Sequence, residues 1–264
     1  RYGKNGKGRI LYAGSPDASL ATLKFLYEKS FENDFEIAGV LSNHPSAKGR
    51  HKSLESTPVA LFAKEKNIPL FESLHLDSIA RNEIQKVQAD LLVCFAYGHI
   101  FGPKFLEVFP CGGINLHPSA LPKYRGPSPI QNAILNLEKS LTISVQTISL
   151  KMDEGDILEQ KTFDLQQNET AGELLDLSAK EGATLILNVI KNIMASSRKN
   201  GSFKPPIGKK QEGQASYTTL IKKEDALIDW KKSAQEVSAQ IRAYSPEPGS
   251  YTFLDGKIIR ILNA

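Results

Sequence analysis

The chain has few of the residues that mark disulfide-stabilised, metal-binding or membrane proteins. Its 264 residues include two cysteines, Cys94 and Cys111, both in apolar surroundings, so we expect buried, reduced thiols. No two of its five histidines have zinc-site spacing, which predicts a protein without a metal. No stretch reaches the roughly 18 apolar residues of a membrane span. We therefore expect a cytoplasmic protein with no membrane partner.

Neither sign of charge is in large excess. Lys and Arg number 33 against 29 Asp and Glu, a net charge of +4, so where the charges cluster matters more than their total. Residues 1–8 are basic and glycine-rich without an apolar core, which is not the pattern of a signal peptide. Because the sequence begins without an initiator Met, we expect a trimmed or tagged chain. We expect a monomer.

Apolar residues, 41% of the chain, fall into short strands that alternate with helices. Strands that are apolar on both faces and are separated by helices indicate a mostly parallel sheet covered on both sides. The predicted fold is therefore α/β, doubly wound and Rossmann-like. Predicted strands cover residues 9–13, 35–41, 69–71, 90–96, 113–117 and 141–150, and predicted helices cover residues 18–28, 58–66, 79–87, 171–194 and 233–242.

A glycine turn at residues 14–17 follows the first strand and invites a nucleotide-binding interpretation. The full Gly-x-Gly-x-x-Gly pattern is absent, and no acidic residue stands about 20 positions later to bind a ribose. We do not expect a dinucleotide cofactor. Ligands of open α/β sheets bind beyond the carboxyl ends of the strands, so residues 96–98 and 115–117 are expected to share one crevice.

The two most informative segments are residues 115–126 (Asn-Leu-His-Pro-Ser-Ala-Leu-Pro-Lys-Tyr-Arg-Gly) and residues 152–156 (Met-Asp-Glu-Gly-Asp). Asn115 and His117 are two apart in a predicted strand, so both side chains point to one face. An amide and an imidazole placed together suit attack of an amine on an acyl carbon, because both can stabilise the oxyanion. Either residue alone is as well explained by capping of loop backbone groups, and Asp153 alone is an ordinary loop carboxylate. No activated nucleophile is evident, which favours direct transfer between substrates.

These two segments resemble the signature of the folate-dependent formyltransferases. The resemblance places Asn115, His117 and Asp153 on the catalytic residues of that family, with Asp153 orienting the imidazole and favouring its protonated form. It implies 10-formyltetrahydrofolate as the formyl donor and transfer through a tetrahedral intermediate. The folate site implied by the resemblance comprises Phe95, Ala96, Tyr97, Gly98, His99, Ser119, Leu150 and Met152.

Within the family, the chain most resembles the branch whose acceptor is initiator methionyl-tRNA. The similarity extends past residue 200, where the glycinamide ribonucleotide branch has no counterpart. The loop at residues 43–53 is basic and contains no acidic residue, as contacts with phosphates require. The resemblance implies that Arg50 contacts the tRNA acceptor arm. The other expected tRNA contacts are Lys48, Lys52, Lys209 and Lys210.

The resemblance also implies the domain organisation. A formyltransferase catalytic domain is expected over residues 9–195, a linker over 196–216, and the start of an OB-like domain over 217–264. A hairpin with an Asp255-Gly256 turn is the clearest feature of the last part. A hairpin alone is marginally stable, so we expect further strands of this domain to be missing.

Three other functions stay open at this point. The nearest is a formyltransferase that acts on an amino sugar linked to a nucleotide, which would share the three catalytic residues. A hydrolase that releases formate is a second enzymatic possibility. A tRNA- or folate-binding protein without activity belongs to a different class, and folate binding without formyl transfer would reveal it.

Overall fold

The computed structural model describes residues 6–48 and 53–264. Its strands, in chain order, are β1 (Gly8–Ala13), β2 (Phe35–Leu41), β3 (Ser46–Lys48), β4 (Ser53–Glu55), β5 (Leu70–Phe71), β6 (Leu91–Cys94), β7 (Gly113–His117), β8 (Ser140–Thr147), β9 (Ile157–Asp164), β10 (Ser250–Leu254) and β11 (Lys257–Ile261). Its α-helices are α1 (Asp17–Ser30), α2 (Pro58–Glu65), α3 (Ser78–Gln85), α4 (Pro103–Leu106), α5 (Pro129–Leu135), α6 (Ala171–Asn200) and α7 (Ala234–Ala243), with a 3₁₀ turn at Lys223–Ala226.

Seven strands form the main sheet in the order β5-β2-β1-β6-β7-β8-β9. The first five strands run parallel to one another. Strand β8 pairs antiparallel with β7, and β9 pairs antiparallel with β8. The predicted mostly parallel α/β sheet is thus confirmed. The edge strand β9 is not predicted from the sequence, because its residues are mainly polar and lack the apolar alternation of a buried strand. In the structure the strand is half exposed.

Helices cover both faces of this sheet, which explains why residues 10–13 of β1 are all apolar. Ile10 and Tyr12 pack in a core with residues of α1, α2 and α6. Leu11 and Ala13 point to the opposite face and pack against Ile84 of α3 and residues around α4. Successive side chains of a strand alternate between faces, so two covered faces require an uninterrupted apolar run.

The glycine turn after β1 serves packing. A Cβ at Gly14 would lie 1.8 Å from Ser19 Oγ and 2.6 Å from the backbone oxygen of Phe95. Glycine therefore lets helix α1 and the segment after β6 approach closely. This close contact explains the glycine without a bound phosphate.

Helix α6 is longer than predicted. Its N-terminus has a capping box between Thr170 and Glu173, and it continues to Asn200, past our predicted end at residue 194 and into the segment assigned to the linker. The serines near its end do not break it, because Ser197 is buried and its Oγ donates to the carbonyl of Ile193 at 2.8 Å. Gly201, at φ +66°, supplies the left-handed residue that ends the helix.

Six further elements differ from the sequence prediction. The polar stretch 42–56 contains a two-stranded ribbon of β3 and β4, and the short helices α4 and α5 each begin with a proline at their first turn. Strand β6 stops at Cys94, because Ala96 has a φ of +54° that a strand does not allow. Strand β8 stops at Thr147, three residues before the predicted end.

The C-terminal region consists of α7 and the hairpin of β10 and β11. Ala239 and Ala243 of α7 pack against Ile130 and Ile134 of α5, which ties this region to the main domain. The hairpin has the predicted Asp255-Gly256 turn, with both residues at positive φ. The OB-like character of this region and the domain boundaries stay predictions. Within the described residues, no helix combines the length and apolarity that a membrane crossing needs.

Candidate active site

A cavity of about 750 Å³ opens where the strands β6 and β7 end. Its wall includes residues 94–101 at and beyond the end of β6, residues 115–118 at and beyond the end of β7, and residues 146–149 and 151–153 at and beyond the end of β8. The two strand ends therefore share one crevice, as the sequence predicts. The volume is within the range of about 300–1,000 Å³ that small-molecule sites occupy.

Asn115 and His117 both reach this cavity, while Leu116 between them packs in the core. The two-residue spacing on β7 thus places both polar side chains on one face, as predicted. Gln146 on the neighbouring strand β8 lies opposite Asn115 in the antiparallel register. Within residues 6–48 and 53–264, the Asn115 amide has no hydrogen-bond partner, so its two N–H groups are free to donate to a ligand.

The His117 ring is buried and held by a backbone group. Its Nε2 lies 2.8 Å from the carbonyl oxygen of Tyr124. A carbonyl oxygen only accepts, so Nε2 carries a hydrogen and donates it. The ring nitrogen that can gain or lose a proton is therefore Nδ1, which lies 3.6 Å from Oδ2 of Asp153.

Asp153 is held by two hydrogen bonds. Its Oδ2 accepts from the backbone N–H of Gly126 at 2.8 Å, and its Oδ1 accepts from Nε2 of Gln146 at 2.9 Å. The 3.6 Å from Oδ2 to Nδ1 of His117 is too long for a direct hydrogen bond. We predicted that Asp153 orients the imidazole, but the orienting hydrogen bond comes from Tyr124. Asp153 places its carboxylate beside Nδ1, the ring nitrogen that does not bond to Tyr124.

The turn that carries Asp153 folds back onto the end of β8. Thr147 exchanges backbone and side-chain hydrogen bonds with Asp156, at 2.9 Å and 2.8 Å. A Cβ at Gly155 would lie 1.6 Å from the carbonyl oxygen of Thr147, so only glycine allows this approach. Asp153 itself has φ +55°, a left-handed conformation that costs a non-glycine residue roughly 1–2 kcal/mol.

Sequence reasoning missed two residues of this network. Tyr124 contributes a carbonyl, and its hydroxyl donates to Oε1 of Glu138 at 2.7 Å, which anchors the residue outside the cavity. Gln146 is 2% exposed and lies on the face of β8 that also carries Thr142 and Ser144. A buried glutamine needs a hydrogen-bond partner, and a glutamine within a predicted strand of the sheet is the one signal that sequence alone offered.

Six of the eight residues predicted for a folate site line the cavity. They are Phe95, Ala96, Tyr97, Gly98, His99 and Met152. The other two lie elsewhere. Ser119 is buried and its hydroxyl donates to the carbonyl of Lys123 at 2.6 Å, while Leu150 is 60% exposed outside the cavity wall.

The residues predicted to contact tRNA are only partly described. Arg50 and Lys52 lie outside the described residues, and Lys48 is the last residue of β3. Lys209 and Lys210 are exposed near the Asp153 turn, 3.9 Å from Glu212 and 2.8 Å from Asp156 respectively. No three His, Cys, Asp or Glu side chains of the described segments cluster as a metal site would.

Both thiols are buried, which raises the pKa of Cys94 to about 12 and that of Cys111 to about 11. A thiol protonated at neutral pH is a poor nucleophile, although Cys94 lines the cavity. We expect iodoacetamide at pH 7.5 to leave catalytic activity above 90% after an hour. Peptide mass spectrometry checks that both thiols stay unmodified in the native protein and react after denaturation. Alkylation of native Cys94 would contradict the burial argument.

Comparisons with family models and with known proteins both find formyl transferases. The family model described as formyl transferase matches residues 9–190, and the model of the formyl transferase C-terminal domain matches residues 220–264. The methionyl-tRNA formyltransferase of Treponema denticola is 39% identical in an alignment of 264 positions that covers 97% of this chain and 78% of that protein.

Two solved structures illustrate the range of similar proteins. The sugar 3N-formyl transferase WlaRD, solved with dTDP and 5-N-formyl-THF, is 25% identical, with a TM-score of 0.64 over 97% of this chain and 85% of that one. The methionyl-tRNA formyltransferase from Clostridium thermocellum is 18% identical and shows the same fold, with a TM-score of 0.61 over 96% of this chain and 97% of that one.

Proposed function

This chain belongs to the formyl transferase family, and from that premise we propose that it transfers the formyl group of 10-formyltetrahydrofolate to the α-amino group of initiator methionyl-tRNA. The observation that carries the proposal is the meeting of Asn115, His117 and Asp153 at one cavity. The similarity to methionyl-tRNA formyltransferases extends over both the catalytic and the C-terminal parts. A monomeric enzyme of the cytoplasm is part of the same proposal.

Several groups at the cavity support the binding of a formyl-folate. The Asn115 amide offers unused donors, and Oδ1 of Asn43 is a buried acceptor without a partner among the described residues. The loop after β6 leaves the sheet at Ala96, with φ +54°, and Gly98, with φ +83°, and the backbone groups of these two residues take no part in strand pairing. A pterin, which is flat and rich in donors and acceptors, suits such a wall.

The chemistry follows from these positions. The amino nitrogen forms a bond to the formyl carbon while the C=O electron pair moves onto the formyl oxygen. Asn115 and protonated His117 donate to this oxygen as it gains negative charge. Asp153 stabilises the charged imidazole from 3.6 Å. The electron pair on that oxygen then re-forms the C=O bond as the carbon–nitrogen bond of the donor breaks, and His117 Nδ1 passes a proton to the leaving folate nitrogen, directly or through water. The extra proton of the attacking nitrogen passes to Nδ1 in turn, so the imidazole returns to its protonated form.

A nucleotide amino sugar is the second candidate acceptor, because WlaRD matches most of this chain. Such an acceptor also presents a primary amine and phosphates. The catalytic residues therefore do not distinguish the two substrates. The exposed Lys209 and Lys210 beside the Asp153 turn, together with the basic loop of residues 43–53, favour the longer phosphodiester chain of a tRNA.

A panel of acceptors separates the candidates. Purified protein is mixed with 10-formyltetrahydrofolate and, in parallel, with initiator methionyl-tRNA, a dTDP-linked amino sugar or no acceptor. We expect formylation of the methionyl-tRNA, with kcat/KM at least about 100-fold above that for the sugar. Preference for the sugar would replace the proposed acceptor. Formate release without any acceptor would indicate a hydrolase.

Arg50→Ala is expected to raise the KM for methionyl-tRNA about tenfold, because one charge-assisted phosphate contact is lost. The KM for the folate donor should stay within twofold. Arg81→Ala on α3 is the matched control, since it removes the same charge away from the cavity. Steady-state kinetics at 50 and 200 mM salt provide the measurement. A tRNA affinity that does not change with salt would contradict a phosphate contact at Arg50.

A further inference from the structure

The segment that follows α6 returns to the active site. We define the strap as residues 209–218. At one end Lys209 exchanges two backbone hydrogen bonds with Ile157, at 2.7 Å and 2.8 Å. At the other end the backbone of Arg125 donates to Ser216 at 2.9 Å and accepts from Thr218 at 2.7 Å. The strap thus joins the loop after β7 to the turn that carries Asp153.

Gln211 is the residue of the strap that contacts this turn directly. Its Nε2 donates to the carbonyl oxygens of Asp153 and Gly155, at 2.7 Å and 2.9 Å. Its Oε1 accepts from Nη2 and Nε of Arg125, at 2.7 Å and 3.1 Å. Both ends of one amide are therefore used, and its orientation is fixed by the guanidinium on one side and two carbonyls on the other.

Arg125 is itself held in place. Its guanidinium lies 3.2 Å from Oε1 of Glu154 and donates to the hydroxyl of Tyr217 at 2.9 Å, and its side chain is only 11% exposed. Glu154 follows Asp153 in the turn. Two segments therefore hold the turn. Gln211 of the strap binds backbone carbonyls of the turn, and Arg125 of the loop after β7 binds the side chain of Glu154.

We propose that Gln211 is a positioning residue for the formyl transfer: it holds the strained Asp153 turn so that the carboxylate faces Nδ1 of His117. The turn needs such support because Asp153 is in a left-handed conformation and lies outside any sheet ladder. Without the two hydrogen bonds, the backbone can relax and move the carboxylate away. This inference rests on the proposed function, and it extends that function to a residue remote from the reacting atoms.

Two substitutions of Gln211 separate its donors from its acceptor. Gln211→Glu keeps an oxygen for Arg125 but removes the N–H donors to the turn. Gln211→Met keeps the length of the side chain and removes both. We expect each variant to lower kcat about tenfold at saturating substrates, with both KM values within twofold. Gln214→Met, in the exposed part of the same strap, is the matched control and should keep the parental kcat.

An Asp153→Asn background tests whether Gln211 acts through the carboxylate. There, either Gln211 substitution should lower kcat by less than twofold, because the charge that it positions is already gone. A second tenfold loss in that background would overturn the proposal. So would a Gln211→Glu variant with more than half of the parental kcat, since the donors to the turn would then be dispensable.

A measurement without substrate keeps this inference distinct from the proposed function. The backbone N–H of Gly126 donates to the Asp153 carboxylate, so its hydrogen exchange reports where that carboxylate lies. We expect the Gly126 amide to exchange about tenfold faster in both Gln211 variants and at the parental rate in Gln214→Met. Unchanged exchange would refute the positioning role. If the parent formylates no amine, only the proposed function fails, and the exchange result still decides the role of Gln211.

Discussion

Replacing His117 by Ala is expected to lower kcat about 100- to 1,000-fold, with the KM values of both substrates within about threefold. The loss is expected to be large because Nδ1 of the ring lies beside Asp153 at the cavity, where the proposed mechanism has it pass a proton to the leaving nitrogen. Steady-state kinetics with 10-formyltetrahydrofolate and methionyl-tRNA give both constants.

His75→Ala is the control for this variant, because His75 is exposed and lies outside the cavity wall. It should keep the parental kcat. Thermal unfolding should confirm that His117→Ala is folded at the assay temperature, since the substitution removes a buried ring. A folded variant with more than half of the parental kcat would refute the role of His117.

Asn115→Ala is expected to lower kcat by a similar factor, about 100- to 1,000-fold, which is typical for loss of one oxyanion donor. Here the fold should be unaffected, because the amide has no partner among the described residues and its removal leaves no group of the protein unpaired. Asn115→Asp should be at least as damaging, since it replaces the donors by a negative charge near the developing oxyanion.

Asn188→Ala removes an exposed amide on the outer face of α6 and is the matched control. It should retain the parental kcat. Calorimetry measures the affinity of Asn115→Ala for 5-formyltetrahydrofolate. We expect this affinity to be less than about tenfold below that of the parent, because the amide acts mainly in the transition state. A variant that loses folate binding with kcat preserved would make Asn115 a binding residue instead.

Periodicity and turn chemistry made the outline of the protein predictable. Alternating apolar strands and helices indicated the mostly parallel sheet, and the two-residue spacing of Asn115 and His117 indicated that they share a face. Asp255-Gly256 identified the hairpin turn. The resemblance to folate-dependent formyltransferases, based on residues 115–126 and 152–156, is confirmed by the two family models.

What the sequence did not predict depends on backbone groups and on contacts between distant segments. Every residue has a backbone carbonyl, so residue type does not show that the carbonyl of Tyr124 accepts a hydrogen bond from His117. Gln211 contacts Asp153 across 58 positions of the chain. Lysines and glycines surround it, which is why that stretch resembled a plain surface linker.

Local stereochemistry accounts for the smaller differences between the sequence prediction and the structure. Helix α6 passes the predicted end because Ser197 bonds back to the helix, and only Gly201 has the left-handed conformation that stops it. Ser119 was placed at the folate site by its position in the motif, yet its hydroxyl is used within its own loop. Neither result could be read from residue type alone.

A single-turnover experiment with the formyl carbon of 10-formyltetrahydrofolate labelled tests the central claim, direct transfer to an amine on tRNA. Enzyme in excess is mixed with the donor and methionyl-tRNA, and the reaction is quenched at intervals. We predict that label appears on the methionyl α-amino group at the rate at which it leaves the folate, with none bound to protein at any time. Label on the protein before the tRNA, or recovered as free formate, would contradict the mechanism proposed for Asn115, His117 and Asp153.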